Sequence, residues 1–291
     1  MTTPSRPVRV AVVGHVEWVI FARVQRVPRT GEILHPEETW EEPAGGGAVA
    51  AVQLAKLAGE ATLFTSLGDD DLGHRALREL QDHGVRVVAD FLDVRQRRAF
   101  TFIDENGERT ITTLGERHGP RRSDPLPWDE LAATDAVYFT AGDDGAVEAT
   151  RQAGVVVATA RELRSLARAR VGVDALVGSR RDPWEEYHRG DLNPPPRVAV
   201  RTAGADGGSY ETADGRRGTF EAAPLPGPRV DAYGCGDSFA AGLTFGLGAG
   251  LDLDEALALA ARCGAACLTG RGPYEGQLRL APKGPSSSRS S

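Results

Sequence analysis

Short runs of consecutive apolar residues recur along the 291-residue chain, each closed by glycine or a polar residue. Between them, apolar positions fall every three or four residues. Val8 to Gly14 reads as a buried strand ended by a glycine, and Thr62 to Leu67 as a second strand. Ala136 to Thr140 and Val155 to Ala158 read as buried parallel strands, and Ala175 to Gly178 and Val198 to Arg201 continue the pattern. Helical spacing predicts helices over Val49 to Leu57, from the acids at 69–71 to about His83, after Asp237, and over Asp252 to Leu268. Strands that alternate with helices imply a parallel sheet covered on both faces. Two stretches break the alternation. Glu17 to Glu42 mixes Trp18, Phe21, Pro28, Gly31 and Trp40 with charges and reads as irregular strands lying over something else. Ala99 to Ile103 and Arg109 to Thr113 flank Asp104-Glu105-Asn106-Gly107, and Asn-Gly is a strong hairpin signal. Together these predict a small sheet over the mouth of the main domain.

Composition narrows the function classes. A net charge of −7 argues against a general nucleic-acid or anionic-membrane role. No stretch is apolar enough to span a bilayer, and no apolar h-region follows Met1 to Pro7. Cys235, Cys263 and Cys267 make no disulfide framework and suit a reducing cytoplasm. Cys263 and Cys267 stand four apart, but with no second pair or His cluster they read as buried structural thiols. The acids at 69–71 have the composition of a metal site, yet their place ahead of a helical run reads better as a solvated helix start.

The chemistry concentrates in Val230 to Phe239. An extended, proline-rich approach leads to Gly234 and Gly236, then Asp237, then a helix of small residues. Glycines permit close approach, and the helix start turns unsatisfied N–H groups back on the turn, which makes a seat for an anion. A carboxylate in that seat is costly unless it works there, for instance by taking a proton from a hydroxyl that attacks a phosphate. A plain turn with Asp237 as helix N-cap explains the same letters equally well. Pro43 to Ala48, with Gly45, Gly46 and Gly47 feeding a helix, is a second close-approach site, or equally a flexible loop before a packed helix.

Residues 231–239 resemble the C-terminal signature of the PfkB (ribokinase-like) carbohydrate kinases, D-T-x-G-A-G-D-x-F. Asp231, Gly234, Gly236, Asp237 and Phe239 are kept, while Tyr233 and Cys235 replace small residues. Gly45 to Gly73 resembles the N-terminal signature, Asp104 to Ile111 the lid hairpin, and Thr202 to Gly207 the T-x-G-x-x-G turn beside the nucleotide. The resemblance spans about Val8 to Pro273 in several ordered motifs. It implies a three-layer α/β/α domain over 1–285 with a mostly parallel sheet. Lid segments at about 17–42 and 97–115 are inserted in it, and a disordered tail covers 286–291. It also implies ATP-dependent phosphorylation of a hydroxyl on a sugar or sugar-like alcohol. Asp237 is then the base, and Gly234, Cys235 and Gly236 form the anion hole.

By the same resemblance, Gly14, Glu17, Gly45, Gly46, Gly47 and Val49 border the substrate, and Ser179, Thr202, Gly204, Gly207 and Gly272 border the nucleotide. Asp182 stands where many members carry the Glu of N-x-x-E near Mg²⁺, with Ser179 in place of the Asn. In relatives the lid also clasps a second subunit, which implies a homodimer. The substrate side departs from the pattern. The usual Asp of the first strand end falls on Val19, the Asn of G-G-x-x-x-N falls on Val49, and a polar residue after the mid-chain strand falls near Ala158 to Ala160. His15, Glu17 and Arg161 are the candidates to replace them. A nucleoside kinase, with Trp18 or Trp40 stacked on a base, and a catalytically silent binding member are the alternatives. A polar cavity between Gly14, Gly45 to Gly47 and Asp237 would point to a sugar, and an aromatic slot to a nucleoside.

Overall fold

The structure, a computed structural model, describes residues 6–280. The expected tail at 286–291 lies outside the described residues. Val10–Val13 (β1) is buried throughout, as an apolar run in a parallel sheet must be. Its even residues pack on one side of the sheet and Ala11 and Val13 on the other. The chain then leaves for Glu17–Arg23 (β2) and returns along Glu38–Ala44 (β3) into Gly46–Ala58 (α1). Ala61–Gly68 (β4), Asp71–Asp82 (α2) and Val85–Leu92 (β5) follow, then the hairpin Arg98–Ile103 (β6) and Arg109–Leu114 (β7). The second half runs Ala136–Phe139 (β8), Asp144–Thr150 (α3), Val155–Thr159 (β9), Leu163–Ala169 (α4), Ala175–Ser179 (β10) and Val198–Thr202 (β11). The antiparallel pair Gly208–Thr212 (β12) and Arg217–Phe220 (β13) precedes Cys235–Gly248 (α5) and Leu253–Cys267 (α6).

Among the described residues the strands form two sheets. The large one has the order β13-β12-β11-β10-β9-β8-β1-β4-β5 and is parallel from β5 to β11. One apolar cluster joins it to α1, α5 and α6, and a second joins its other face to α3, α4 and Trp128, so the domain has three layers. The small sheet, β3-β2-β6-β7, is the lid. Its hairpin tip is seated on the approach to α5: Ala232 N donates to Gly107 O at 2.9 Å. No described helix is long and apolar enough to cross a membrane.

Asp70 caps α2 by accepting from Gly73 N at 2.9 Å, which accounts for the acids at 69–71. Cys263 and Cys267 are buried on α6, and the described residues hold no cluster of His, Cys, Asp or Glu arranged for a metal. Trp18 is buried under the Arg75 guanidinium, 4.4 Å from its ring, and Trp40 stacks on Phe21 with centroids 4.9 Å apart. Both indoles are therefore engaged in protein packing, and neither offers a free face to a base.

Candidate active site

The loop before α5 is built around Asp231. Its buried carboxylate accepts from Tyr233 N at 2.8 Å and from Gly272 N at 3.0 Å, and burial raises its proton affinity. Gly234 then turns the chain with φ 78° and serves as N-cap without a side-chain acceptor. The first partnered N–H of the helix is that of Ser238, which donates to Gly234 O, so the N–H groups of Cys235, Gly236 and Asp237 stay open. A Cβ at Gly236 would meet nothing within 4 Å, so the helix start faces free space of the kind an anion needs. Cys235 has Cys267 beside it, which together with burial holds its thiol protonated; the residue contributes its backbone to the turn. Asp231→Asn is expected to cost about 1–3 kcal/mol, because the new amide nitrogen cannot accept from a buried N–H. A urea melt checks this, and an unchanged midpoint would show that the carboxylate does not hold the loop.

The start of α1 faces that of α5. Gly45 turns with φ 87°, and its N–H donates to the Tyr233 hydroxyl at 3.3 Å. A Cβ on Gly46 would lie 3.0 Å from Asp237 Oδ1, 3.5 Å from His15 Cε1 and 3.6 Å from Thr140 Cβ. Gly14 and Gly47 are in backbone contact, since a Cβ on Gly14 would sit 2.9 Å from Gly47 Cα and 2.3 Å from Thr140 Oγ1. Gly46 and Asp237 thus face each other across one cleft, with Gly14 and Gly45 packed close behind Gly46 and His15. Val49 is fully buried and its Cγ1 packs against Gly234, so it forms apolar wall behind the cleft instead of supplying a polar contact.

Polar groups converge on this cleft from elements the sequence did not single out together. The buried atoms His15 Nδ1 and Thr140 Oγ1 have no hydrogen-bond partner among the described residues. Glu17 Oε1 lies 2.8 Å from Arg97 Nε and 3.9 Å from His15 Nε2. Burial, then the charges of Arg117, Arg97 and Arg161, push His15 down to about 3, so its ring is neutral. Burial raises Glu17 despite the same arginines. Asp237 is raised to about 6, first by burial and next by Glu185, with Arg109 and Arg161 opposing. Thr140 directly follows β8 at the carboxyl edge of the sheet, where ligands of α/β proteins bind; that position was its sequence signal.

The nucleotide-side candidates separate into two groups. Ser179 and Thr202 end neighbouring strands, and Gly204 turns at φ 67° in the open, with the Arg181 guanidinium 3.1 Å from where its Cβ would be. Gly207 and Gly272 are closely packed on their Cβ side. A Cβ on Gly207 would strike Phe220 O at 2.0 Å and one on Gly272 would strike Glu42 Oε1 at 2.2 Å, so both are buried close-packing glycines. Asp182 is committed twice, through Oδ1 to Trp184 N at 2.9 Å and through Oδ2 to the Arg161 guanidinium. Among carboxylates, Glu185, three residues later, bears most on Asp237, ahead of Glu17. An open cavity of about 520 Å³ between the Tyr187 to Pro196 loop and Tyr210 brings none of these residues together.

The pfkB family carbohydrate kinases match residues 8–189 and 191–279. The ATP-dependent ribose-1-phosphate kinase of Halopiger xanaduensis is 30% identical, over 89% of this chain and 91% of its own. The aminoimidazole riboside kinase of Salmonella typhimurium is also 30% identical, over 81% and 86%. The ribokinase structure from Thermotoga maritima superposes with a TM-score of 0.75 at 18% identity, covering 94% of this chain and 96% of that one, a likeness of fold.

Proposed function

The chain belongs to the pfkB family of carbohydrate kinases, and on that premise we propose that it transfers the γ-phosphoryl group of ATP to a hydroxyl of a sugar or sugar-like alcohol, with Asp237 as general base. The reading rests on one observation above all. The Asp237 carboxylate lies between the open N-terminus of α5 and the Gly45–Gly46 turn, with its proton affinity lifted to about 6. A base with that affinity is ionised at neutral pH and still able to accept a proton in the transition state. The acceptor hydroxyl gives its proton to Asp237 as its oxygen bonds to the γ-phosphorus, and the bond to the leaving ADP oxygen breaks. Gly234, Cys235 and Gly236 offer backbone N–H groups to the charge on the transferring phosphoryl group.

Asp182 and Glu185 are the carboxylates that would hold Mg²⁺, each by giving up its place beside Arg161. When bound, it neutralises phosphate charge. Ser179, Thr202 and Gly204 border the nucleotide. The polar lining of Gly14, His15, Glu17 and Thr140 favours a hydroxyl-rich acceptor over a stacked base. The riboside in the name of one relative keeps a nucleoside as the second reading. The outer lid face, with half-buried Ile20, Phe100 and Phe102, is where a homodimer would form, in a reducing cytoplasm that keeps the three thiols free.

Acceptor-dependent ADP release over a panel of sugars and nucleosides tests the reading. Release is expected with sugars. The kcat/KM should fall tenfold per pH unit below about 6, as Asp237 takes up its proton. Release that is independent of acceptor, or no release at all with nucleotide still bound, would favour the silent binding member instead.

A further inference from the structure

One face of the large sheet runs out of cover near its β13 end. The apolar cluster on the α3 and α4 side includes Leu176 of β10 but no residue of β11, β12 or β13. Parallel strands are usually joined by a helix that lies on the sheet. β10 and β11 are parallel, yet the chain between Ser179 and Val198 holds only the 3-10 turn Pro183–Glu185. The face of β11, β12 and β13 opposite α5 and α6 is therefore open, and the cavity of about 520 Å³ lies on it. Val198 and Val200 join the core on the α5 and α6 side, whereas Ala199 and Arg201 line the cavity. The register sets two rows across the strands. Arg201 stands opposite Ser209, and Ser209 opposite Thr219; Ala199 stands opposite Glu211, and Glu211 opposite Arg217. The small side chain of Ala199 leaves the hollow, and Tyr187, Pro195 and Pro196 wall one side of it.

We propose that this cavity is a second ligand site, apart from the catalytic cleft, and that it takes a phosphate monoester with a small apolar body. Its lining holds three arginines, Arg189, Arg201 and Arg217, against one carboxylate, Glu211, in a chain whose net charge is −7. Glu211 is shared: Oε1 accepts from Arg189 Nη1 at 3.4 Å, and Oε2 accepts from Arg217 Nε at 3.2 Å. Arg189 also donates through Nη2 to Ala213 O at 2.9 Å. Arg201 is the least satisfied of the three. Its Nε is buried without a hydrogen-bond partner among the described residues, and its Nη2 reaches Glu186 Oε1 only at 3.7 Å. A buried donor left without an acceptor is costly, so the position is set for a group from outside the chain. Arg201, Ser209 and Thr219 make a row of donors about 10 Å long across three strands. A phosphate ester presents three acceptor oxygens and close to two negative charges, which suits a guanidinium fork flanked by hydroxyls. The apolar body packs on half-buried Tyr187 and buried Pro196, and a hollow of this volume is of the size that seats small metabolites. The site uses neither Asp237 nor the two glycine turns, so it stands or falls independently of the kinase reading.

Calorimetric titration of the full chain with phenyl phosphate, and separately with inorganic phosphate, tests it. Phenyl phosphate carries the ester and a ring but has no hydroxyl to phosphorylate, so turnover does not intrude. It is expected to bind about 10-fold tighter than inorganic phosphate, because roughly 60 Å² of ring leaves water against Tyr187 and Pro196. Arg201→Gln should weaken phenyl phosphate by about 10- to 100-fold, the loss of a hydrogen bond from a charged group. Ala199→Phe should abolish binding by filling the hollow. Its ring enters open space, so this variant keeps the test decisive if Arg201→Gln folds poorly. Gly46→Ala, which alters the catalytic cleft, should leave the binding unchanged. Equal affinity for phenyl phosphate and inorganic phosphate would reveal an unspecific patch of positive charge and overturns the proposal. So does binding that survives both cavity variants, binding that is lost in Gly46→Ala while the cavity variants keep it, or no binding at millimolar ligand.

Discussion

Asp237→Asn is expected to lower kcat by about 10²- to 10⁴-fold while making the ligand-free protein more stable. The first effect is the loss of the group that takes the hydroxyl proton. The amide fills the same space and leaves the α5 N–H groups where they are, so nucleotide should still bind. The second effect follows from proton linkage. The folded protein raises Asp237 to about 6, mainly through burial, whereas an unfolded aspartate titrates near 3.8. A group that binds its proton more tightly when folded makes folding less favourable as pH rises through the window between those values, and above about 6 the penalty is complete. Two units correspond to roughly 3 kcal/mol at most, and the partial exposure of the side chain reduces this to about 1–2 kcal/mol. Urea midpoints should therefore favour the variant at pH 8, with the gap closing toward pH 4. A variant that turns over like wild type removes Asp237 as base. A stability gap that stays constant with pH removes the account of its proton affinity.

The second large effect is expected at Gly46. An alanine methyl there would lie 3.0 Å from Asp237 Oδ1 and within 3.6 Å of Thr140, in the space an acceptor hydroxyl must enter. Displacing the acceptor by about 1 Å costs on the order of 100-fold in rate, so kcat/KM should drop by about 10²- to 10³-fold. The fold should tolerate the change. Gly46 has no positive φ, and alanine is the better helix former at the start of α1. Gly47→Ala is the contrast. Its Cβ would fall 2.6 Å from His15 O and 2.9 Å from Gly14 C, both backbone atoms that cannot swing aside. That variant should lose about 1–3 kcal/mol of stability. Steady-state kinetics and unfolding on both variants check the pair. Equal stability losses would mean that Gly46 is merely a packing residue.

The alternation of buried strands and helices was readable because β1, β8 and the strands beside them are apolar on both faces. The two unanticipated features lie toward the edges of the large sheet. Residues of β5 are mostly half-buried and include Arg86 and Asp90, and the β12–β13 pair is short and polar, so neither carries a sharp period. The Gly234 to Asp237 turn was legible because glycine spacing and a following helix are local. On the acceptor side Gly14, His15, Glu17 and Arg161 were named from the sequence, whereas Thr140, Arg97 and Arg117 were not, because only the fold brings them beside His15. Arginine was also hard to notice in a chain whose 34 basic residues include only two lysines, Lys56 and Lys283. The place of Glu185 beside Asp182 was unanticipated for a similar reason. The 3-10 turn Pro183–Glu185 after β10 sends the later acid back to Ser179 N, a path that counting from the strand end does not anticipate.

Tyr233 occupies a position where small side chains are usual, and its hydroxyl reaches across to Gly45 N at 3.3 Å. It also meets Phe21 of the lid edge-on, with centroids 5.0 Å apart. One phenol thus touches both helix starts and their cover. Coupling carried by this phenol would run equally in both directions: the factor by which nucleotide sharpens affinity for the acceptor would be the factor by which the acceptor sharpens affinity for nucleotide.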